Sequence, residues 1–102
     1  MKKPTTIKVN SVNDFQDMVN KKDFTISKAV VDTILGNLKT RKKSILALSV
    51  KCIEENQILD ITLEKTHFLD TLKTNLPYFE KREMYEDCVR INNAIIQLSK
   101  NR

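Results

Sequence analysis

"SILALSVKCIEENQILDITLEK", Ser44 to Lys65, decides the fold. Its first half places Leu46, Leu48, Val50 and Cys52 at alternate positions, with Ala47, Ser49 and Lys51 between them. Its second half alternates again, Leu59, Ile61 and Leu63 against Asp60, Thr62 and Glu64. A period of two marks strands that put one face on a core and the other toward water. The polar "EENQ", Glu54 to Gln57, has the length of a hairpin connection. The pattern predicts two antiparallel strands. The alternative is one helix from Ser44 to Asn56, since Leu46, Val50 and Ile53 also fit a helical stripe. It would make the chain all-α, but the second alternation has no helical counterpart of equal quality.

Upstream, "TTIKVN", Thr5 to Asn10, alternates in the same way and predicts a short strand. Ser11 is an N-cap candidate with Asp14 three residues on, an acidic variant of the capping box. Phe15, Met18 and Val19 then share a helical face, and this helix should end near Lys21. A second helix is expected over "TISKAVVDTILGNLKT", capped by Thr25 or Ser27. Its stripe is Val30, Val31, Ile34, Leu35 and Leu38. Gly36 near its end costs about 1 kcal/mol against alanine unless a close contact needs it.

Downstream, two more helices are expected. Thr66 is the candidate cap of the first, whose stripe runs Leu69, Leu72, Leu76 and Phe79. Pro77 should kink or interrupt it, because proline lacks the amide donor and crowds the preceding turn. "EKRE", Glu80 to Glu83, reads as a charged turn. Met84, Cys88, Ile91, Ile95 and Leu98 then repeat at steps of four, three, four and three. Tyr85, Val89 and Ile96 widen that face beyond a coiled-coil seam. The expected fold is therefore α+β: a short N-terminal strand, two helices, a β-hairpin and a C-terminal antiparallel helical hairpin over residues 65–100. No linker or repeat divides residues 1–102, so one small domain is expected.

"YEDCVRINNAI", Tyr85 to Ile95, resembles the second helix of the UVR motif, the small helical hairpin of excinuclease and of some chaperone adaptors. Tyr85 and Glu86 match its aromatic–glutamate pair, Cys88 and Val89 its small positions, and Ile91 and Ile95 its aliphatic ones. Asn92 and Asn93 stand where the motif usually has Arg-Asp. The likeness covers about a third of the chain, the scale of one supersecondary unit. It implies contact with another hairpin or another protein, and it does not imply DNA repair. The plainer reading makes most of these side chains core residues packed on Leu69, Leu72 and Leu76. The residues singled out for protein contact are Tyr78, Phe79, Tyr85, Val89 and Ile96, because an exposed apolar cluster marks a partner site.

Charge is unevenly spread. Residues 1–51 hold eleven Lys and Arg against four Asp, a net +7, and residues 52–102 hold seven against nine Asp and Glu, a net −2. Lys2, Lys3, Lys21 and Lys22 are scattered, and the densest basic run is "KTRKKS". Its Lys39, Arg41, Lys42 and Lys43 are the candidate contacts to nucleic acid or another anion. A solvated loop closing a helix is the plainer reading, since no aromatic residue interleaves the run to stack bases.

Composition removes several classes. One glycine cannot build a phosphate-binding loop, and it argues against a many-turned barrel or sandwich. The core must be aliphatic, with no tryptophan and 6% aromatic residues. His67, Cys52 and Cys88 lack the spacing of metal ligands. Cys88 lies on an apolar stripe with no residue that reads as its base. Glu54 with Glu55, and Glu83 with Asp87, read as solvated faces. The expectation is a non-enzyme that needs no cofactor. "MKKPTTIKVN" has a basic start without an apolar stretch behind it, and no stretch reaches the length of a membrane span. A cytoplasmic protein with reduced cysteines is expected. The Lys-, Asn- and Ile-rich composition is that of an AT-rich genome, as in many phages and low-GC bacteria. The function expected is a small regulatory or adaptor protein that works by protein–protein contact through the helical hairpin. A nucleic-acid binder and a homodimeric structural protein are the alternatives.

Overall fold

The computed structural model describes residues 5–100. Lys2 and Lys3 lie outside them. The elements run β1 (Thr5–Val9), α1 (Val12–Asn20), α2 (Phe24–Leu35), β2 (Ser44–Cys52), β3 (Gln57–Glu64), a 3-10 turn (Lys65–His67), α3 (Phe68–Lys81) and α4 (Tyr85–Lys100). The fold is α+β, as the alternating pattern predicts. The sheet has the order β1-β2-β3, with β1 parallel to β2 and β2 antiparallel to β3. Parallel neighbours need a long crossover, and α1 and α2 supply it.

The hairpin is present, but β2 does not alternate cleanly. Leu46 pairs with Thr62 and Leu48 with Ile61, so Ala47 is an extra residue at a β-bulge. The bulge puts both Ala47 and Leu48 on the buried side, each 1% exposed, and turns Leu46 away. Ile45, Leu48, Val50 and Cys52 thus all face the helices, where strict alternation predicts Leu46 in place of Ile45 and Ala47. The opposite face is open. Thr6, Lys8, Lys51, Ile58, Asp60 and Thr62 are exposed there, and the Ser49 hydroxyl donates to Asp60 at 2.9 Å.

Ser11 caps α1 as expected, its hydroxyl accepting from the Asp14 amide at 3.1 Å. The first helical amide is satisfied from far away. The Val12 amide donates to the Glu55 carboxylate at 3.2 Å, so this residue of the β2–β3 turn neutralises a helix N-terminus and is more than a solvated face. The cap of α2 is Asp23, accepting from the Thr25 amide at 2.8 Å, and neither Thr25 nor Ser27 serves. Ser27 lies a turn inside the helix, buried, and donates to Asn75 Oδ1 of α3 at 2.7 Å. Thr66 does not cap α3 either. It sits in the 3-10 turn, and no side chain caps the helix that follows.

Pro77 leaves α3 unbroken over its 14 residues. Both helix pairs are joined in the same way. At the end of α1 the Asp23 amide bonds Met18 O and the Lys22 amide bonds Val19 O; at the end of α3 the Met84 amide bonds Phe79 O and the Glu83 amide bonds Glu80 O. These are Schellman closures, and they need a left-handed residue at the second-last position. Lys22 (φ 55°) and Glu83 (φ 56°) take it, in a chain whose single glycine, Gly36, sits at a helical φ of −80°.

Two apolar clusters result. The larger lies among α2, α3, α4 and the start of β2, around Ile34, Phe68, Leu72, Phe79 and Ile91, all 0% exposed. The smaller lies between the sheet and α1 and α2, around Val9, Ala29, Leu48, Val50 and Cys52. Among the described residues no helix is long and apolar enough to cross a membrane.

Candidate functional site

The five residues singled out for protein contact do not form one surface. Phe79 is fully buried, which corrects its assignment to a contact surface. Its ring meets Phe24 of α2 edge-on, with centroids 4.9 Å apart, and the Arg82 guanidinium lies 4.2 Å from the centroid of the Phe24 ring. Tyr78 is half-buried beside Met18, Val19 and Asn75, in a shallow depression between α3 and the first helix pair.

Tyr85, Val89 and Ile96 do come together. They sit at i, i+4 and i+11 on α4, within about 40° of arc. They are 66%, 58% and 53% exposed. They do not widen the core face as their spacing suggests. The core face is held by Cys88, Ile91 and Ala94, with Ile95 and Leu98 half-buried beside them. A helix packed on α3 and α2 has room for one stripe, and the second stripe is left outside. Asn92 lies between Val89 and Ile96 on this outer strip and is exposed as well. The nearby turn carries both signs, with Glu80, Lys81, Arg82, Glu83 and Glu86 exposed and Asp87 paired to Arg90 at 3.3 Å.

A second feature lies at the other end of the hairpin. A cavity of about 740 Å³ opens between the α2–β2 loop, the 3-10 turn and the end of α4. Leu38, Leu69 and Leu98 form its apolar floor, and Arg41, Lys42, Lys43 and Lys65 stand around it. Three of the four basic residues singled out in the sequence thus converge. Lys39 is exposed and does not line the cavity. Lys65 is not among the residues singled out, although the hairpin return through β3 is what brings it beside the loop. Backbone pairing holds it there, with the Lys65 amide bonding Lys43 O at 2.7 Å. Its ammonium donates to Thr40 O at 2.6 Å, and the Thr40 hydroxyl accepts from the Lys42 amide at 3.2 Å. Thr40 is itself buried, so the basic loop is pinned rather than loose.

Neither cysteine is activated. Burial pushes the Cys88 thiol above its ordinary pKa, and the nearby Glu80 and Asp87 charges push the same way. Burial likewise raises Cys52, helped by Glu55. His67 is exposed, and among the described residues no three His, Cys, Asp or Glu side chains converge as metal ligands would. No family model matches this chain, and no curated protein and no solved structure is significantly similar to it.

Proposed function

We propose that this chain is a non-enzymatic regulatory or adaptor protein of the cytoplasm that works by protein–protein contact through the outer face of α4. One observation carries the proposal: α4 presents two apolar stripes, and only one of them is used by the fold. Leaving Tyr85, Val89 and Ile96 in water gains the monomer nothing, since burying a Val or Ile side chain is worth about 1.5–3 kcal/mol. An amphipathic helix with a free apolar strip is a standard docking element for a groove or a second helix. The likeness of Tyr85–Ile95 to the UVR hairpin supports the same use of this helix.

The test is the double variant Val89→Glu/Ile96→Glu. Both positions are more than half exposed, so the fold should survive, with an unchanged circular dichroism spectrum. The wild-type chain should retain a partner protein, or a second copy of itself, that the variant loses. Light scattering separates the two cases by mass. An identical captured set from both chains, with a monomer mass for both at millimolar concentration, would sink the proposal.

A further inference from the structure

The basic cavity is independent of the α4 strip, and its materials are specific. Four cations surround it. Among the described residues the ion pairs are Lys28 with Asp32 and Arg90 with Asp87, so none of the four has a carboxylate within 4.0 Å. Among the described residues Glu64 is the one acidic residue on its wall, and it lies within 3.5 Å of the Thr66 hydroxyl. The start of α3, uncapped by any side chain, adjoins the cavity through Thr66 and Leu69 and adds the positive end of a helix dipole. Like charges held together raise one another's energy, and a bound anion relieves them.

A plain anion site does not need an apolar floor. Leu38 and Leu98 are the outer side of the larger core, and with the buried Leu69 they give the cavity a surface that sheds water. A nucleic-acid strand would need an extended groove with rings for stacking, and among the described residues no aromatic side chain lines this concavity. The volume falls in the range of small-ligand sites, roughly 300–1,000 Å³. From the charge and the floor together we propose that the cavity binds a small amphiphilic anion in solution, a carboxylate or phosphate headgroup on a short aliphatic chain. The headgroup lies against Lys42, Lys43 and Lys65, and the chain covers the three leucines.

The experiment is a titration of the 15N-labelled full chain with decanoate, followed by amide shifts. Saturable shifts should fall in residues 38–44, 64–69 and around Leu98. Lys42→Glu/Lys43→Glu, both exposed in the free protein, should weaken binding at least tenfold. Shortening decanoate to octanoate should weaken it about fifteenfold, since each of the two methylenes is worth roughly a factor of four. Val89→Glu/Ile96→Glu should bind decanoate as the wild type does, so a failure of the α4 proposal leaves this one standing. Four results overturn it. Inorganic phosphate binds as tightly as decanoate, neutral 1-decanol does so, the shifts gather on α4 around Val89 and Ile96, or a single-stranded oligonucleotide displaces decanoate from the cavity.

Discussion

The cluster among the helices and the cluster under the sheet are filled differently, and one strand serves both. The first is closed by rings: Phe68 and Phe79 are fully buried, with Phe24 packed edge-on. The second has no fully buried ring and is made of Val9, Ala29, Leu48, Val50 and Cys52. Along β2, Ile45 belongs to the first and Leu48, Val50 and Cys52 to the second. In a strict pleat Ile45 and Leu48 would point to opposite faces. The extra residue Ala47 puts both on the helix side. A single inserted residue thus lets a nine-residue strand reach two cores that a regular strand could not.

The difference can be broken at its heaviest point. Phe79→Ala should cost about 4–5 kcal/mol, the upper range for a buried phenylalanine, because the edge contact to Phe24 and the hold on α2 go with the ring. Leu48→Ala in the second cluster should cost about 3 kcal/mol. Total stability of such a domain is about 5–15 kcal/mol, so the first variant stands near the threshold of folding and the second does not. Urea midpoints decide it. Equal losses would mean that the two clusters are one core. Phe79 and Ile96 also part company here: substitution of the buried ring reads out in stability, whereas that of the exposed isoleucine should not.

Where the signal is local and periodic, the sequence is legible. The two alternations of Ser44–Lys65, the four helical stripes and the Ser11 cap are each fixed by neighbours a few residues away. The bulge is not legible, since Leu46 and Ala47 are both apolar and a count of alternation does not register an added residue. Phe79 ends a stripe next to a charged turn and reads as an edge, because its partner Phe24 lies far upstream. Asp23 does not stand out as a cap, because the left-handed residue before it is a lysine, not the glycine that announces a helix end. Of the cavity, the loop cations are visible and the leucine floor is not. The floor depends on the chain after α2, the start of α3 and the end of α4 meeting beside the hairpin, a long-range arrangement that no local spacing encodes. The exposed strip of α4 is visible as residues and ambiguous as a surface, since helical spacing gives the angle of a stripe and not what covers it.

A smaller effect sharpens how the clusters are linked. The buried Thr33 hydroxyl lies 2.8 Å from Ala29 O within α2 and 3.1 Å from Ala47 O at the bulge. It can donate to either, so it ties the helix between the clusters to the residue that divides the strand. Thr33→Val keeps the volume and removes the donor. It should cost about 1 kcal/mol, the net worth of one buried hydrogen bond. Amide exchange should quicken at Ala47 and Leu48 more than at Ile91. Equal quickening at all three would mean that the hydroxyl holds only its own helix.

The smallest effect has the opposite sign. Lys22 and Glu83 each sit at a left-handed position, where a side chain with a β-carbon costs about 1–2 kcal/mol against glycine. Replacing either by glycine removes that strain but gives the unfolded chain more freedom, which returns part of the gain. The net should be about 0.5 kcal/mol of added stability, a rise of roughly 2–4 °C in Tm. Glu83→Gly also removes a carboxylate just ahead of α4, where a negative charge favours the helix, so its gain should not exceed that of Lys22→Gly. The joint it relaxes presses Met84 onto the ring-filled cluster, whereas Lys22 closes a helix, α1, that buries no residue fully. A strained joint is tolerated where the packing behind it holds the turn in place. By that logic Glu83 is secured by Phe79 and Met84, and Lys22 chiefly by its own two hydrogen-bonded closures. Lys22→Gly should therefore leave amide exchange in α1 fast, while Glu83→Gly slows it through the first turns of α4. A loss of stability in both variants would show that neither joint is strained.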